Sequence, residues 1–334
     1  MANSLQLEPV PQPASDRVLH GARRVVEVKR QLDDLCGTSR TSWIVEQLCP
    51  QLFNAAQSAL DGDAFVNAVI PFVGAEAPEV PAFVPVASMI GESWKWHECT
   101  TSWRNAEELE AYLTAPERAY RTDPDVSLST YIVPLGLAVA FEGKNRVRFL
   151  RDRGVEHIPS AVALADYPAA DRLEIFKVAG DQGQCTWCVL DGRWLKQLAL
   201  PAVSHLVLGP YGVPTKHGWP HKWPAIRLVH EAVAEASRSY LGEPVDLHKL
   251  RDRHQAASDM HEWVNASVSG LSGVYKMRWG LVLPGFALIL AASFVAERLP
   301  DTWAIGSKWG LCGLVTGLLL AWGAPLIRAR RKHL

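Results

Sequence analysis

Two stretches near the C-terminal end constrain the fold more than anything else in the chain. Trp279 to Ala296 and Trp309 to Ile327 are runs of about 18 and 19 residues without a charge, each near the roughly 20 needed to cross a bilayer. Trp279, Trp303, Trp309 and Trp322 sit near their ends, where interfacial anchors belong. A buried core hairpin is the alternative, but two uncharged runs in tandem exceed what core helices usually show. A two-helix membrane hairpin with a basic tail over 277–334 is the expected structure. Gly310, Gly313, Gly317 and Gly323 permit close helix packing, and Gly313-x-x-x-Gly317 predicts a homo-oligomer through the hairpin. Lys276 and Arg278 precede the first run and Arg328, Arg330, Arg331 and Lys332 follow the second. The connecting residues Glu297, Arg298, Asp301 and Lys308 carry no net charge, so the positive-inside rule predicts a two-pass protein of the inner or plasma membrane with both ends cytoplasmic.

The remainder is long enough for an ordinary globular domain and more. Of 334 residues, 48% are hydrophobic and 21% charged, and the net charge of -1 asks for no nucleic-acid partner. Six scattered cysteines form no disulfide framework, and Met1-Ala-Asn-Ser-Leu lacks the layout of a signal peptide, so a reducing cytosol is expected.

Residues 1–15, with Pro9, Pro11 and Pro13, read as a disordered lead-in. A helical region is expected over 16–90. It holds a first helix from Ser15 or Asp16 to Gly37, a second from Ser42 to Leu60 interrupted by Pro50, and a turn or two through Phe65 to Ile70. Pro71, Pro78, Pro81 and Pro85 mark a connector. An α+β domain is expected over 91–222, beginning with an extended Glu92–Cys99 and a helix capped by Asn105. Strands are expected at Tyr131–Phe141, His157–Leu164, Leu173–Val178, Cys185–Leu190 and His205–Leu208, with a turn at Asp191-Gly192. A helical juxtamembrane region over 223–276 includes one long segment from Val245 to about Val274.

Within the α+β domain, the apolar run to Phe141, the turn at Glu142-Gly143, a basic helix to Arg153, Gly154 as its stop and Ile158-Pro159 give the order strand, turn, helix, strand. A glycine opening such a helix lets backbone N–H groups approach an anion, and Lys144 and Arg146 add charge where the helix dipole favours a negative ligand. The spacing Gly143-x-x-Arg146, then Gly154 and Ile158-Pro159, resembles the Gly-x-x-Arg box of the ParB/sulfiredoxin-like fold. That resemblance implies a small mixed sheet in which Glu142, Gly143, Lys144, Asn145 and Arg146 hold nucleotide phosphates, with magnesium as a possible companion ion. The position of sulfiredoxin's reactive cysteine is Lys144, so peroxiredoxin repair is not expected. The second arginine of partition proteins is Asn145, which removes one support for hydrolysis. Partition-type relatives imply a tie to plasmid or mobile-element DNA, but no helix-turn-helix pattern is present and DNA binding is left open.

Other constellations are less specific. Cys185-Thr-Trp-Cys188 with His97 and Cys99 has the ligand types of a four-coordinate zinc site. If Cys185 begins a strand, however, Cys185 and Cys188 face opposite sides, and ordinary half-buried cysteines result. The run His217-Gly-Trp219-Pro-His221-Lys-Trp223 suits base stacking or, more commonly, a cover over a sheet. The acidic and histidine residues from Asp246 to Glu262 lack a second histidine after His261-Glu262 and read as a solvated helical face. Two functions follow as expectations. One is a membrane-anchored cytoplasmic protein that binds a nucleotide or other phosphorylated ligand at Glu142–Arg146. The alternative is a non-enzymatic membrane scaffold, or a stress or defence effector, that acts through its hairpin. Neither includes a catalytic set.

Overall fold

The computed structural model describes residues 7–37, 40–49, 52–54, 59–74, 76–91, 105–142, 144–180, 183–236, 243–261 and 263–266, scattered positions from 287 to 317, and 327–330. The chain divides into two compact units, Met1–Leu250 and Arg251–Leu334.

The first unit begins with β1 (Glu8–Pro9) and α1 (Asp16–Cys36), which buries Val18, Ala22, Val25 and Val26 at helical spacing. Next come α2 (Ser42–Leu48), a hairpin of β2 (Phe53–Asn54) and β3 (Ala59–Leu60), and α3 (Gly62–Val69), capped by the Asp61 carboxylate accepting from Ala64 N–H at 3.0 Å. The helix expected to reach Leu60 stops at Leu48, just before Pro50. The proline-rich connector contains a strand, β4 (Val80–Pro85), because its neighbour β1 reaches only Ala82 and Phe83 and demands no N–H at Pro81 or Pro85. A 3-10 turn at Val86–Ser88 leads to β5 (Met89–Ile90), and α4 (Ala106–Leu113) is capped by Asn105, which accepts from Glu108 N–H at 2.7 Å.

The single strand expected from Tyr131 to Phe141 is two strands, β6 (Leu128–Ile132) and β7 (Leu137–Glu142). Pro134 starts a tight turn between them and Gly136 closes it at φ 63°. Helix α5 (Lys144–Asp152) follows, and Gly154 at φ 77° with Val155 N–H donating to Leu150 O at 3.0 Å makes a Schellman stop before β8 (His157–Ala165). Strands β9 (Leu173–Gly180), β10 (Gly183–Leu190) and β11 (Trp194–Gln197) form a meander whose second turn has Asp191 and Gly192 both at positive φ, as a type I′ turn requires. His205–Leu208, expected extended, belongs to α6 (Pro201–Tyr211), opened by proline and stopped by Gly212 in the left-handed region; a short apolar run does not distinguish the two. The unit closes with β12 (Thr215–His217), α7 (Ile226–Ala236), β13 (Val245–Asp246) and the start of α8 (Leu247–His261).

These strands build two mixed sheets, β1-β4-β8-β6-β7-β5 and β12-β9-β10-β11-β13. One face of the first sheet, with Tyr131, Ala138 and Ala140, packs with Leu113 of α4 and Val147 and Leu150 of α5. Its other face, with Ile132, Leu137 and Val139, shares a core with α1, α3 and α6 and with Leu173, Ile175 and Cys188 of the second sheet. The far face of the second sheet, with Phe176, Trp187 and Val189, packs on Val229 and Val233 of α7.

The fold class is therefore α+β with two mixed sheets, without the expected membrane hairpin. Among the described residues no helix is long and apolar enough to cross a membrane, and most of 279–327 lies outside those residues. Where the second uncharged run ends, Ile327–Arg330 form strand β15, antiparallel to β14 (Trp263–Ala266). Arg328 lies opposite Asn265 in that ladder, so the run is not one helix continuing to a flanking basic tail. The two-pass topology and the inner- or plasma-membrane placement are corrected accordingly. The helix expected to reach Val274 likewise ends at His261.

Helices α1 and α6 approach at Gly21, where an added Cβ would collide with the Leu206 carbonyl oxygen, which is backbone and cannot rotate away. Gly21→Ala should therefore lower the stability of the full chain by about 1–3 kcal/mol despite its better helix propensity. The midpoint of urea unfolding measures this, and an unchanged or raised midpoint would show that the helices part without cost.

Candidate functional site

Helix α5 joins two polar regions, one at each end. At its N-terminal end, Glu142 closes β7, while Gly143 and the side chains of Glu142, Lys144 and Asn145 lie outside the described residues. Arg146 is described: its Nη1 donates to the Asp125 carbonyl at 2.7 Å, and Nη2 lies 3.9 Å from Asp125 Oδ1. The Tyr112 hydroxyl donates to the Asp125 carboxylate, and this bond raises the phenol's pKa above its usual value. Arg118 pairs with Asp123 and lies 3.8 Å over the Tyr112 ring. Arg146 thus clasps the segment before β6 to α5, and an oxyanion at the loop would compete with the Asp125 carbonyl for it.

The other sequence candidates separate. His97 and Cys99 lie outside the described residues. Cys188 is in the core between the sheets, whereas Cys185 packs on the α7 side, so one ion cannot bridge them. Burial pushes the Cys188 thiol up to about 12, which keeps it protonated and a poor ligand. Trp219 and Trp223 pack edge-to-face on Phe176 at 5.6 and 5.0 Å and on each other at 4.7 Å, covering the outer face of the second sheet with no gap for a base. Asp246 caps α8 through the N–H of His248 at 3.0 Å and pairs with Arg193 at 2.8 Å, a structural role that holds its carboxyl at about 2.

The C-terminal end of α5 meets α1 across β5, the edge of the first sheet. Lys29 of α1 is 1% exposed and donates to both oxygens of the equally buried Asp33, at 2.8 and 2.7 Å, and to the Leu60 carbonyl at 2.7 Å. Arg151 of α5 donates through Nη2 to the carbonyls of Val86 at 3.0 Å and Met89 at 2.6 Å. Around them the charges pair: Arg30 holds Glu27 through two bonds of 2.9 and 2.6 Å, and Arg148 holds Asp34 at 2.9 Å and Asp152 at 2.8 Å. Arg151 has no carboxylate partner among the described residues, and its Nε is buried without an acceptor. Burial, then Arg148 and Arg30, lowers its pKa, and the nearby Asp152 and Glu27 carboxylates only partly offset this.

Arg151 lines a cleft of about 680 Å³ between the start of α1, the turn after β4 and the α5–β8 connection. Arg23, Val26, Val86, Val155, Glu156 and His157 share its walls, and the volume falls in the range of small-molecule sites. Sequence reasoning passed over these residues because Arg148, Arg151 and Arg153 resemble a solvated basic face. The available signal was register: Val147, Leu150 and Arg151 stand at i, i+3 and i+4, so Arg151 occupies an apolar position of the stripe.

No protein-family model, curated protein or solved structure matches the chain. The resemblance to the ParB/sulfiredoxin-like fold is therefore withdrawn, since a single Gly-x-x-Arg spacing also arises in unrelated folds.

The Lys29–Asp33 pair gives a direct test of the edge. Lys29→Met should cost about 3–5 kcal/mol because it removes the ammonium held against the buried Asp33 carboxylate, and Lys29→Met with Asp33→Leu should cost less than the single change. Urea unfolding of both variants measures the difference; a single variant as stable as the parent would mean the pair is not buried.

Proposed function

We propose that the chain binds a small phosphorylated molecule, a nucleotide among the candidates, in the cleft beside Arg151. One observation carries this reading: Arg151 is a largely buried guanidinium on the wall of a ligand-sized cleft, with two carbonyls for partners and no carboxylate partner among the described residues. Leaving such a charge uncompensated is costly, and an incoming oxyanion recovers part of that cost. Arg23, exposed on the same wall and in no ion pair among the described residues, supplies a second guanidinium, and two arginines suit the several oxygens of a phosphoryl group. Val26, Val86 and Val155 provide an apolar wall for the remainder of the ligand. The proposed phosphate contact lies at the C-terminal end of α5, whereas the sequence places its expectation at the N-terminal end, at Glu142–Arg146.

Calorimetric titration of the full chain with adenosine 5′-monophosphate and with inorganic phosphate, against acetate as control, tests the proposal. Phosphate-bearing compounds should bind and raise the melting temperature. Arg23→Gln should weaken binding by about tenfold, the worth of one charged hydrogen bond, while leaving the unliganded melting temperature unchanged. Absence of binding by both phosphate compounds, or binding indifferent to Arg23→Gln and Arg151→Gln alike, would overturn it.

A further inference from the structure

We infer that the ligand of this cleft carries a cationic group beside its phosphate, so that the natural class is a small phosphorylated amine. The inference rests on the proposed phosphate-binding role and adds what the opposite wall demands. Of the acids near the cleft, Glu27 is neutralised by Arg30 and also accepts from Gln31 at 3.0 Å. Asp34 and Asp152 are held by Arg148, and Glu110 is held by Arg153, which removes the cation closest in sequence to Glu156. Glu156 is the acid left over: it lines the cleft and is in no ion pair among the described residues. Its fold role is confined to its backbone carbonyl, which accepts from Val86 N–H at 3.0 Å. Glu27 also lines the cleft but is paired with Arg30, so among the described residues the wall groups without an ion pair are two cations, Arg23 and Arg151, and one anion, Glu156.

A ligand bearing only negative charge is attracted by the arginines and repelled by Glu156. A zwitterion avoids that conflict by placing an ammonium against Glu156 and its phosphate against the arginines. The attraction is modest because Glu156 faces solvent, and exposed pairs contribute about two- to fivefold in affinity.

Glucosamine 6-phosphate and glucose 6-phosphate differ at one position, ammonium against hydroxyl, and are titrated separately into the full chain and into its Glu156→Gln variant at neutral pH. The amine should bind about two- to fivefold tighter to the parent chain, and Glu156→Gln should erase that preference without weakening glucose 6-phosphate. Equal binding of the two sugars by the parent, or a preference that survives Glu156→Gln, would overturn the zwitterion inference while leaving phosphate binding intact. Failure of both sugars to bind would overturn both.

Discussion

A two-residue strand at the end of a sheet leaves carbonyl groups to be satisfied, and in this chain cations of two helices do it. Lys29 of α1 reaches the Gly91 carbonyl just after β5 at 3.5 Å, besides Asp33 and the Leu60 carbonyl of β3, while Arg151 of α5 reaches the Val86 and Met89 carbonyls. The helices lie on opposite faces of the first sheet and meet around this edge. The ends of α1, α5, β3 and the β4–β5 turn all depend on two side chains. Edges of this kind are otherwise open to pairing with other chains, and covering them with buried charge is a form of protection.

The two cations solve the same problem with different charge balances. Lys29 brings its own counter-ion four residues along the helix, so its site is closed and structural. Arg151 satisfies carbonyls, which are dipoles, and among the described residues it makes no direct ion pair. The cleft opens beside the second of these, and the proposed binding would follow from how the edge is closed.

Much of this was legible in the sequence where a local rule governs the outcome. Asn105 as a cap, Asp191-Gly192 as a turn and Gly154 as a helix stop act through their own backbone, and each is found in that role. What failed needed tertiary information. His205–Leu208 is an apolar run that fits strand or helix, and it is seen as helix in its packing against α1 at Gly21; the exception is the break between Tyr131 and Phe141, which Pro134 and Gly136 mark locally. The uncharged runs matched a bilayer in length, yet length alone does not register that Ile327 and Arg328 pair as a strand. The site was missed for a subtler reason. Lys29, Asp33 and Arg151 stand within apolar stripes, and a charge there signals burial with a partner, whereas composition counts it as surface.

The central claim is that the spare positive charge of the edge, and not the loop at Glu142 to Arg146, is where an oxyanion binds. Crystals of the full chain grown with tungstate, a tetrahedral oxyanion that scatters anomalously, test it most directly. The account predicts an anomalous peak within hydrogen-bonding reach of Arg23 and Arg151. A peak at the start of α5 beside Arg146, with none in the cleft, would contradict it.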